Sequence, residues 1–406
     1  MIPEGVDEVA RDRQVRQSFG SQAVLFGFVF LAMAVLIATI APQGKGGQVI
    51  AKPAPYPTPG APAAEMVYKY LFSFRHDDIV TCAAFSRNGR WLATGSELGT
   101  VIVTDIESHK ELVVIRNPDS LDNGVKTLRF SQDGQLLLVG GFGNRGGGGQ
   151  IKIFRTRDYT VTMVLDMPGS ELVDYLDVSP DNKWLIVADR KSARIWNLQD
   201  KRAASHLIPK DSALLFNGDR TLLVAGQWAY AIPNGGLDSL VTTGVGPVQI
   251  VFFDIIDDKV TRVLRTTIEE PVRRLVLAKA QKELFVLTAG GTVYRLDSKT
   301  GAVKQRIALT ELYRKVSPQN LHVWFSTDFE VMEDYPLLVF SDRRNTFFVN
   351  YDSNNLLALD HGSQVGAKLS PSGKEFAILG GVKQASLTGV PDQHYWTVNV
   401  FSFKPF

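Results

Sequence analysis

The sequence predicts an all-β protein: a seven-bladed β-propeller closed by an N-terminal strand, preceded by one transmembrane helix and a proline-rich linker. The first observation behind this prediction is a phrase that recurs about every 40 to 50 residues and consists of an apolar strand, a serine, a turn and a second apolar strand. The second observation is an uncharged apolar stretch near the N-terminus. The clearest copies of the phrase are Phe85-Ser86-Arg87-Asn88-Gly89, Phe130-Ser131-Gln132-Asp133-Gly134, Val178-Ser179-Pro180-Asp181-Asn182 and Leu369-Ser370-Pro371-Ser372-Gly373. Repeats of this length built from short strands are typical of propellers.

The seven blades can be laid out along residues 66–406. Their predicted spans are Val80–Ile115, Val125–Asp166, Val173–Ile208, Ala213–Arg265, Pro271–Leu309, Leu321–Asp360 and Val365–Phe403. Weaker copies of the phrase occur at Phe216-Asn217-Gly218-Asp219 and Phe325-Ser326-Thr327-Asp328. The last blade supplies only three strands. Residues 67–74 alternate as a half-buried strand does, and pairing this strand with the end of the chain would close the ring without an exposed edge.

The apolar stretch, residues 22–41, is predicted to be a transmembrane helix. Residues 23–41 carry no charge, and their helical length nearly spans a hydrocarbon core of about 30 Å. A cleaved signal peptide is the alternative. Its apolar region would be about 7–15 residues long, and Pro42 makes cleavage after Ala41 unfavourable. We therefore expect an uncleaved anchor.

The orientation of the helix is predicted from its flanking basic residues. Three arginines in the tail, residues 1–21, precede the helix, whereas two lysines follow it. The positive-inside rule therefore places the tail in the cytoplasm and the propeller on the extracytoplasmic, periplasmic-type side. No Asn-x-Ser/Thr sequon occurs, as expected of a bacterial-type or organellar protein.

The linker, residues 42–65, contains six prolines and four glycines. Such a segment lacks many backbone donors and favours an extended polyproline II spacer. Its expected role is to hold the propeller away from the membrane.

Composition excludes several classes of function. The chain has 44 basic and 42 acidic residues, for a formal net charge of +2, which gives no electrostatic reason to expect nucleic acid. The single cysteine, Cys82, excludes an internal disulfide and any site built from several thiolates. The six histidines are scattered singly, so no metal site or haem attachment is expected. The segment Gly141-Phe142-Gly143-Asn144-Arg145-Gly146 has the spacing of a nucleotide-binding loop, but an alternating strand follows it, where phosphate binding needs a helix. We expect no cofactor.

The repeats resemble those of the WD-repeat propeller family, over about residues 66–406. Blade 1 carries the closest resemblance, and the residues that match are His76, Val80, Phe85-Ser86, Gly89, Leu92-Ala93-Thr94-Gly95-Ser96, Gly99, Val101 and Thr104-Asp105. Blade 3 offers Ile195-Trp196-Asn197 and blade 4 offers Phe252-Phe253-Asp254, whereas the other blades depart further. The resemblance implies the propeller fold and a structural role for His76. It equally fits a related, more degenerate bacterial propeller.

Candidate partner-binding residues lie in loops expected on one face. Three insertions, 140–149, 227–247 and 381–394, fall between second and third strands, and loops of that kind share one rim of a propeller. The second insertion contains four large apolar residues suited to protein contacts: Trp228, Tyr230, Ile232 and Leu237. The pair Arg343 and Arg344 is expected on the same face. Four acidic residues of blade 6, Asp328, Glu330, Glu333 and Asp334, are expected to form a connection that is either solvated or in contact with a basic partner.

These features favour a non-enzymatic, membrane-anchored interaction scaffold or an accessory subunit of a membrane or envelope complex. The alternative is a propeller enzyme or a ligand-binding sensor that uses the central channel. Polar residues from several blades converging on that channel would favour the alternative.

Overall fold

The computed structural model describes residues 67–116, 124–141, 149–167, 173, 175–189, 193–200, 202–208, 213–227, 240, 245–278, 282–316, 329–332, 335–341, 345–360, 366–380 and 397–404. The chain divides into two units, Met1–Gly47 and Gln48–Phe406, and every described residue belongs to the second. The predicted transmembrane helix, 22–41, and the linker, 42–65, lie outside the described residues. Within the described part of the chain, no helix is long and apolar enough to span a membrane.

Seven four-stranded antiparallel sheets form the blades, which confirms the predicted architecture. Blade 1 consists of β2(Val80–Phe85), β3(Trp91–Ser96), β4(Val101–Asp105) and β5(Lys110–Ile115). Blade 2 consists of β6(Val125–Phe130), β7(Leu136–Gly141), β8(Gly149–Arg155) and β9(Thr160–Met167). Blade 3 consists of β10(Tyr175–Val178), β11(Trp184–Ala188), β12(Ala193–Asn197) and β13(Arg202–Ile208).

The remaining blades follow the same order. Blade 4 consists of β14(Ala213–Phe216), β15(Thr221–Gly226), β16(Gln249–Asp254) and β17(Lys259–Arg265). Blade 5 consists of β18(Val272–Ala278), β19(Glu283–Thr288), β20(Thr292–Asp297) and β21(Val303–Ala308), and helix α1(Leu309–Val316) follows it. Blade 6 consists of β22(Phe329–Val331), β23(Leu337–Ser341), β24(Asn345–Asn350) and β25(Asn355–Asp360). Blade 7 combines β26(Gly366–Leu369), β27(Glu375–Leu379) and β28(Thr397–Lys404) with β1(Val67–Arg75).

The ring closes as predicted, because β1 pairs antiparallel with β28 as the fourth strand of blade 7. Seven clusters of buried apolar side chains fill the spaces between adjacent blades. The cluster between blades 7 and 1 contains Phe74 of β1 together with Val80 and Leu379. Burial of apolar area therefore continues without a break around the ring, and this burial is the main stabilising contribution.

Each of the four clear copies of the phrase forms the turn between the first and second strands of a blade. In blade 1 the Ser86 hydroxyl donates to Asn88 Oδ1 at 2.7 Å and accepts from the Trp91 amide at 2.9 Å. Blade 2 repeats both contacts through Ser131, which bonds Asp133 at 2.6 Å and the Leu136 amide at 2.9 Å. The serine thus satisfies backbone and side-chain groups locally, which explains why the phrase recurs.

In five blades, a second type of local hydrogen bonding ends the third strand. An aspartate or asparagine there accepts backbone N–H groups two and three residues further on, and so fixes the turn into the fourth strand. These residues are Asp105, Asn197, Asp254, Asp297 and Asn350. Asp105 stands where the resemblance places the aspartate of the family's motif.

Two features of blades 5 and 6 differ from the sequence prediction. The inner strand of blade 6 is β22(Phe329–Val331), so the copy of the phrase at 325–328 does not form the turn between its first two strands. Helix α1 was not predicted. Its residues Leu309, Leu312 and Tyr313 are buried at helical spacing against blades 5 and 6, and this periodicity is the signal that could have predicted it.

The strand order fixes two faces of the ring. We call the face carrying the second-to-third loops and the connections between blades the upper face, and the opposite one the lower face. The three insertions join β7 to β8, β15 to β16, and β27 to β28, so the strand ends from which they leave all lie on the upper face. The strand β1 begins at the lower face.

Candidate functional site

None of the six residues predicted to bind a partner can be placed. Trp228, Tyr230, Ile232 and Leu237, together with Arg343 and Arg344, lie outside the described residues. Their role stays a prediction, and the structure contributes the elements that flank them.

The base of the blade 4 insertion is described and firmly attached. The Gln227 amide donates from Nε2 to the carbonyl oxygens of Gly246, at 2.8 Å, and Glu269, at 2.7 Å. It therefore joins both ends of the insertion to the connection that leads into blade 5. Within the insertion, Leu240 is buried in the apolar cluster between blades 3 and 4. Val245, close to the end, is 74% exposed on the upper face.

Around the central channel, the seven inner strands align at one level. In every blade one inner-strand residue pairs with the third residue of the second strand. We call these seven residues the inner ring: Ala84, Arg129, Asp177, Leu215, Val276, Glu330 and Lys368. The residues that directly precede three of the charged members on their strands, Leu128, Leu176 and Phe329, are apolar and buried. The alternation places the charged members apart from the apolar core.

Charged members of the inner ring connect neighbouring blades. Arg129 of blade 2 donates from Nη2 to Asp177 Oδ1 of blade 3 at 2.8 Å. Asp177 also accepts the backbone amide of Phe216 in blade 4. The attraction of Asp177 is the largest cause that raises the pKa of Arg129. The buried carboxylate of Asp177 is thereby paired and hydrogen-bonded, as a charge in the interior requires.

Blades 6 and 7 are joined in the same manner. Glu330 accepts the backbone amide of Leu369 at 2.8 Å, and Lys368 Nζ lies 3.6 Å from its other carboxylate oxygen. This overturns the expectation that Glu330 belongs to a solvated acidic connection. The residue instead lies on the inner strand β22, because the first strand of blade 6 begins later than the sequence phrase indicated.

One side-chain contact crosses the channel. The guanidinium of Arg274, in blade 5, lies 5.2 Å from the ring centroid of Tyr175, in blade 3. Blades 3 and 5 are not neighbours, so these side chains meet in the channel. Arg129 of blade 2 also interacts electrostatically with Glu330 of blade 6. Burial raises the pKa of the Tyr175 phenol and keeps it protonated, while its hydroxyl donates to the Leu214 carbonyl at 3.1 Å.

This convergence of polar residues from blades 2, 3, 5, 6 and 7 is the arrangement that a channel ligand would need. Most of the acidic and basic side chains in the channel pair with one another, however, as expected of residues that hold neighbouring blades together. Across the described residues, no group of three or more His, Cys, Asp or Glu side chains is placed to hold a metal ion.

Comparisons with known proteins agree with this architecture. The model of the WD domain, G-beta repeat (WD40) family matches residues 68–105. This match covers β1 and the first three strands of blade 1, so one sequence repeat spans two blades. The β-propeller domain of Cps50 (Swd1) from Myceliophteria thermophila has a similar structure, with a TM-score of 0.60 and 12% identity over 82% of this chain and 99% of that domain. No curated protein matches the chain.

The resemblance to WD-repeat propellers is therefore confirmed, by the match of blade 1 to the family and by the seven-bladed fold. At 12% identity the structural likeness shows the fold alone. In all, 1654 chains of solved structure match this one. A fold shared so widely does not identify a function without a site.

Proposed function

We propose that this protein is a non-enzymatic scaffold, or an accessory subunit of a larger membrane or envelope complex. The observation that carries the proposal is the closed seven-bladed ring, in which the strand ends that lead into all three long insertions lie on the upper face. A rigid platform that presents several loops on one side suits simultaneous contacts with protein partners. WD-repeat propellers usually act as such platforms, and the resemblance of blade 1 supports the same role here.

The proposed anchor is the helix predicted at residues 22–41, with the tail in the cytoplasm and the ring on the extracytoplasmic side. The linker, 42–65, leads into β1, which begins at the lower face. A membrane-anchored ring would then turn its upper face, with the insertions, away from the membrane and toward its partners.

The proposed contact surface centres on the blade 4 insertion. The base of this insertion is held by Gln227, which limits the conformational freedom that a partner would have to remove on binding. Leu98 and Val245, exposed by 65% and 74%, add apolar area on the same face. Trp228 and Tyr230 are the anchors that we propose within the loop.

The test is gentle detergent extraction of the tagged protein from its native membrane, followed by mass spectrometry of the proteins that co-purify. We expect stoichiometric partners, and extraction by detergent but not by alkaline carbonate. Replacing residues 228–239 with a short Gly-Ser link should remove the partners. The matched control shortens the blade 2 insertion, residues 142–148, on the same face, and should retain them.

A monomeric protein insensitive to the blade 4 deletion would contradict the scaffold. That outcome would favour the second candidate, a ligand-binding sensor that uses the central channel. The specific observation in favour of this candidate is the meeting of Arg274 with Tyr175 across the channel.

A further inference from the structure

A cavity of about 260 Å³ opens on the lower face between blades 4 and 5. Its base is apolar and consists of Leu223, Phe252 and Leu277. The first two are buried members of the cluster between these blades, and Leu277 packs against it. The volume is close to the lower end of small-molecule sites, which are roughly 300–1,000 Å³, so one compact group would fill it.

Three cationic residues surround this base: Arg262, Lys282 and Lys299. Within the described part of the chain, no carboxylate forms an ion pair with any of them, and none of the described residues lining the cavity is acidic. Three unneutralised cations around a concave apolar surface create a local positive potential, which the cavity walls concentrate.

The position of Arg262 is set by the sheet. Leu223 pairs with Phe252, and Phe252 pairs with Arg262, so the three side chains lie side by side on one face of blade 4. The Arg262 guanidinium lies 4.8 Å from the centroid of the Phe252 ring. This contact holds the planar group over the aromatic face and leaves its N–H donors available at the edge.

The equivalent residues of other blades show that Arg262 is unusual. Phe252 on the third strand and Arg262 on the fourth form the last pair before a register shift between these strands. The corresponding pairs are Val103 with Val113 in blade 1 and Ile153 with Met163 in blade 2. Those two blades are apolar at both positions. In blade 5 the corresponding pair is Arg295 with Gln305, and Arg295, on the third strand, is paired with Glu283 at 2.5 Å and with Asp352 at 2.8 Å. Of these four pairs, two contain an arginine, and only the one in blade 4 has no carboxylate partner among the described residues.

The blade 5 side of the cavity is fixed by its own turns. The Ser298 hydroxyl donates to the Lys282 carbonyl oxygen at 2.7 Å, and the Ser298 amide donates to the same oxygen at 3.1 Å. These bonds join the loop between the first and second strands to the turn between the third and fourth. Lys282 and Lys299 are thereby held on the same rim as the cavity opening.

We propose that this cavity is a binding site for a carboxylate group carried on an apolar or aromatic body. The carboxylate would accept N–H donors of Arg262 and the ammonium groups of Lys282 and Lys299, while the apolar body would cover Leu223, Phe252 and Leu277. An arginine fork and a carboxylate match in geometry and form a charge-assisted pair. The site is independent of the insertions on the upper face and of the central channel, so it goes beyond the proposed scaffold.

The test uses the detergent-solubilised full chain and ¹⁹F NMR line broadening, with 4-fluorobenzoate as the probe and uncharged 4-fluorobenzamide as its matched analogue. We expect the benzoate signal to broaden and the benzamide signal to stay sharp. The variant Arg262→Gln should bind the benzoate at least about tenfold more weakly. The control variant Arg265→Gln, on the same strand but outside the cavity, should bind as the unmodified protein does.

Equal broadening of both probes, or unchanged binding to Arg262→Gln, would overturn the proposal. A competition arm identifies the source of the carboxylate. Displacement by the peptide acetyl-Gly-Glu-Phe-Gly-amide, but not by its glutamine analogue, would support a side chain of a protein partner. Benzoate binding without peptide displacement would support a small free acid.

Discussion

At the scale of single residues, His76 is a buried group whose protonation opposes folding. Its side chain lies just before blade 1, with Nε2 2.7 Å from the Thr94 hydroxyl, while Nδ1 has no hydrogen-bond partner among the described residues. Burial lowers the pKa of His76 from 6.5 to about 4, against a smaller opposing effect of Asp77. The histidine that the resemblance marks as structural is therefore held neutral at physiological pH.

We expect His76 to make stability depend on pH between about 6.5 and about 4. In that range the unfolded chain binds a proton that the folded chain does not, so stability falls as the pH drops. The full effect is about 3 kcal/mol, from 1.36 kcal/mol per pKa unit. Chemical unfolding of the unmodified protein and of His76→Phe, followed from pH 7 to pH 4.5, measures it.

The control for this prediction is His109→Asn. His109 is exposed and has a φ of 58°, which asparagine tolerates. We expect His109→Asn to keep the pH dependence of the unmodified protein and His76→Phe to reduce it. Parallel curves for His76→Phe and the unmodified protein would show that His76 is not the titrating group.

At the scale of the elements, the turns decide how closely consecutive blades approach. Gly124, directly before β6, has a φ of 68°, and a Cβ there would overlap the carbonyl oxygen of Glu97 in blade 1. Gly134, in the turn after β6, has nearly the same φ, 70°, but a Cβ there would meet no atom within 4 Å. Both glycines adopt a positive φ, which favours glycine, but only at Gly124 would a side chain also collide with a neighbouring residue.

This pair predicts different costs for one substitution. Gly134→Ala should lower the free energy of unfolding by about 1 kcal/mol, the cost of a left-handed alanine. Gly124→Ala should lower it by at least about 1 kcal/mol more, because the backbone of Glu97 must shift. Urea unfolding monitored by tryptophan fluorescence gives both values. Equal losses of unfolding free energy in the two variants would mean that the backbone of blade 1 shifts to accommodate the new side chain without an energetic cost.

The sequence predicted the elements wherever local chemistry forms them. Ser86 and Ser131 occupy turns that need only their own neighbours, so the phrase could be read directly. Blade 6 was placed too early because Phe325-Ser326-Thr327-Asp328 has the composition of the phrase, whereas the strand order assigns the inner position to β22. Local composition could not distinguish the two.

The inner ring and the basic cavity could not be predicted from the sequence. Arg129 and Asp177 are 48 positions apart, and they meet only because both pair with the third residue of the next strand in their blades. Arg262 looks like any charged residue on an outer strand until the register places it beside Phe252. Such sites depend on the alignment of several strands, which no short pattern contains.

At the scale of the whole molecule, the ring depends on a strand from the start of the described chain. Phe74 of β1 is 9% exposed and packs in the cluster that joins blades 7 and 1. Without this strand, β28 would be an unpaired edge. The predicted closure is confirmed, and it makes β1 responsible for the continuity of the core.

We expect Phe74→Ala to lower the free energy of unfolding by about 3 kcal/mol, since it removes a large buried side chain from this junction. Lys69→Ala, at an exposed position of the same strand, should change the free energy by less than about 0.5 kcal/mol. Urea unfolding of the full chain in detergent compares the two. Similar small effects would indicate that β1 contributes little to closure.

The closing strand has a mechanical consequence. Everything that precedes Val67 joins the ring through β1, so tension along that part of the chain is borne first by the pairing of β1 with β28. A pull directed away from the lower face runs along the strand axis and shears the paired residues from Val67 to Arg75 together, whereas a sideways pull would peel them apart one by one. The ring thus resists a pull along the axis of β1 best. The pairing of β1 with β28, which completes blade 7, determines the force at which the propeller would open.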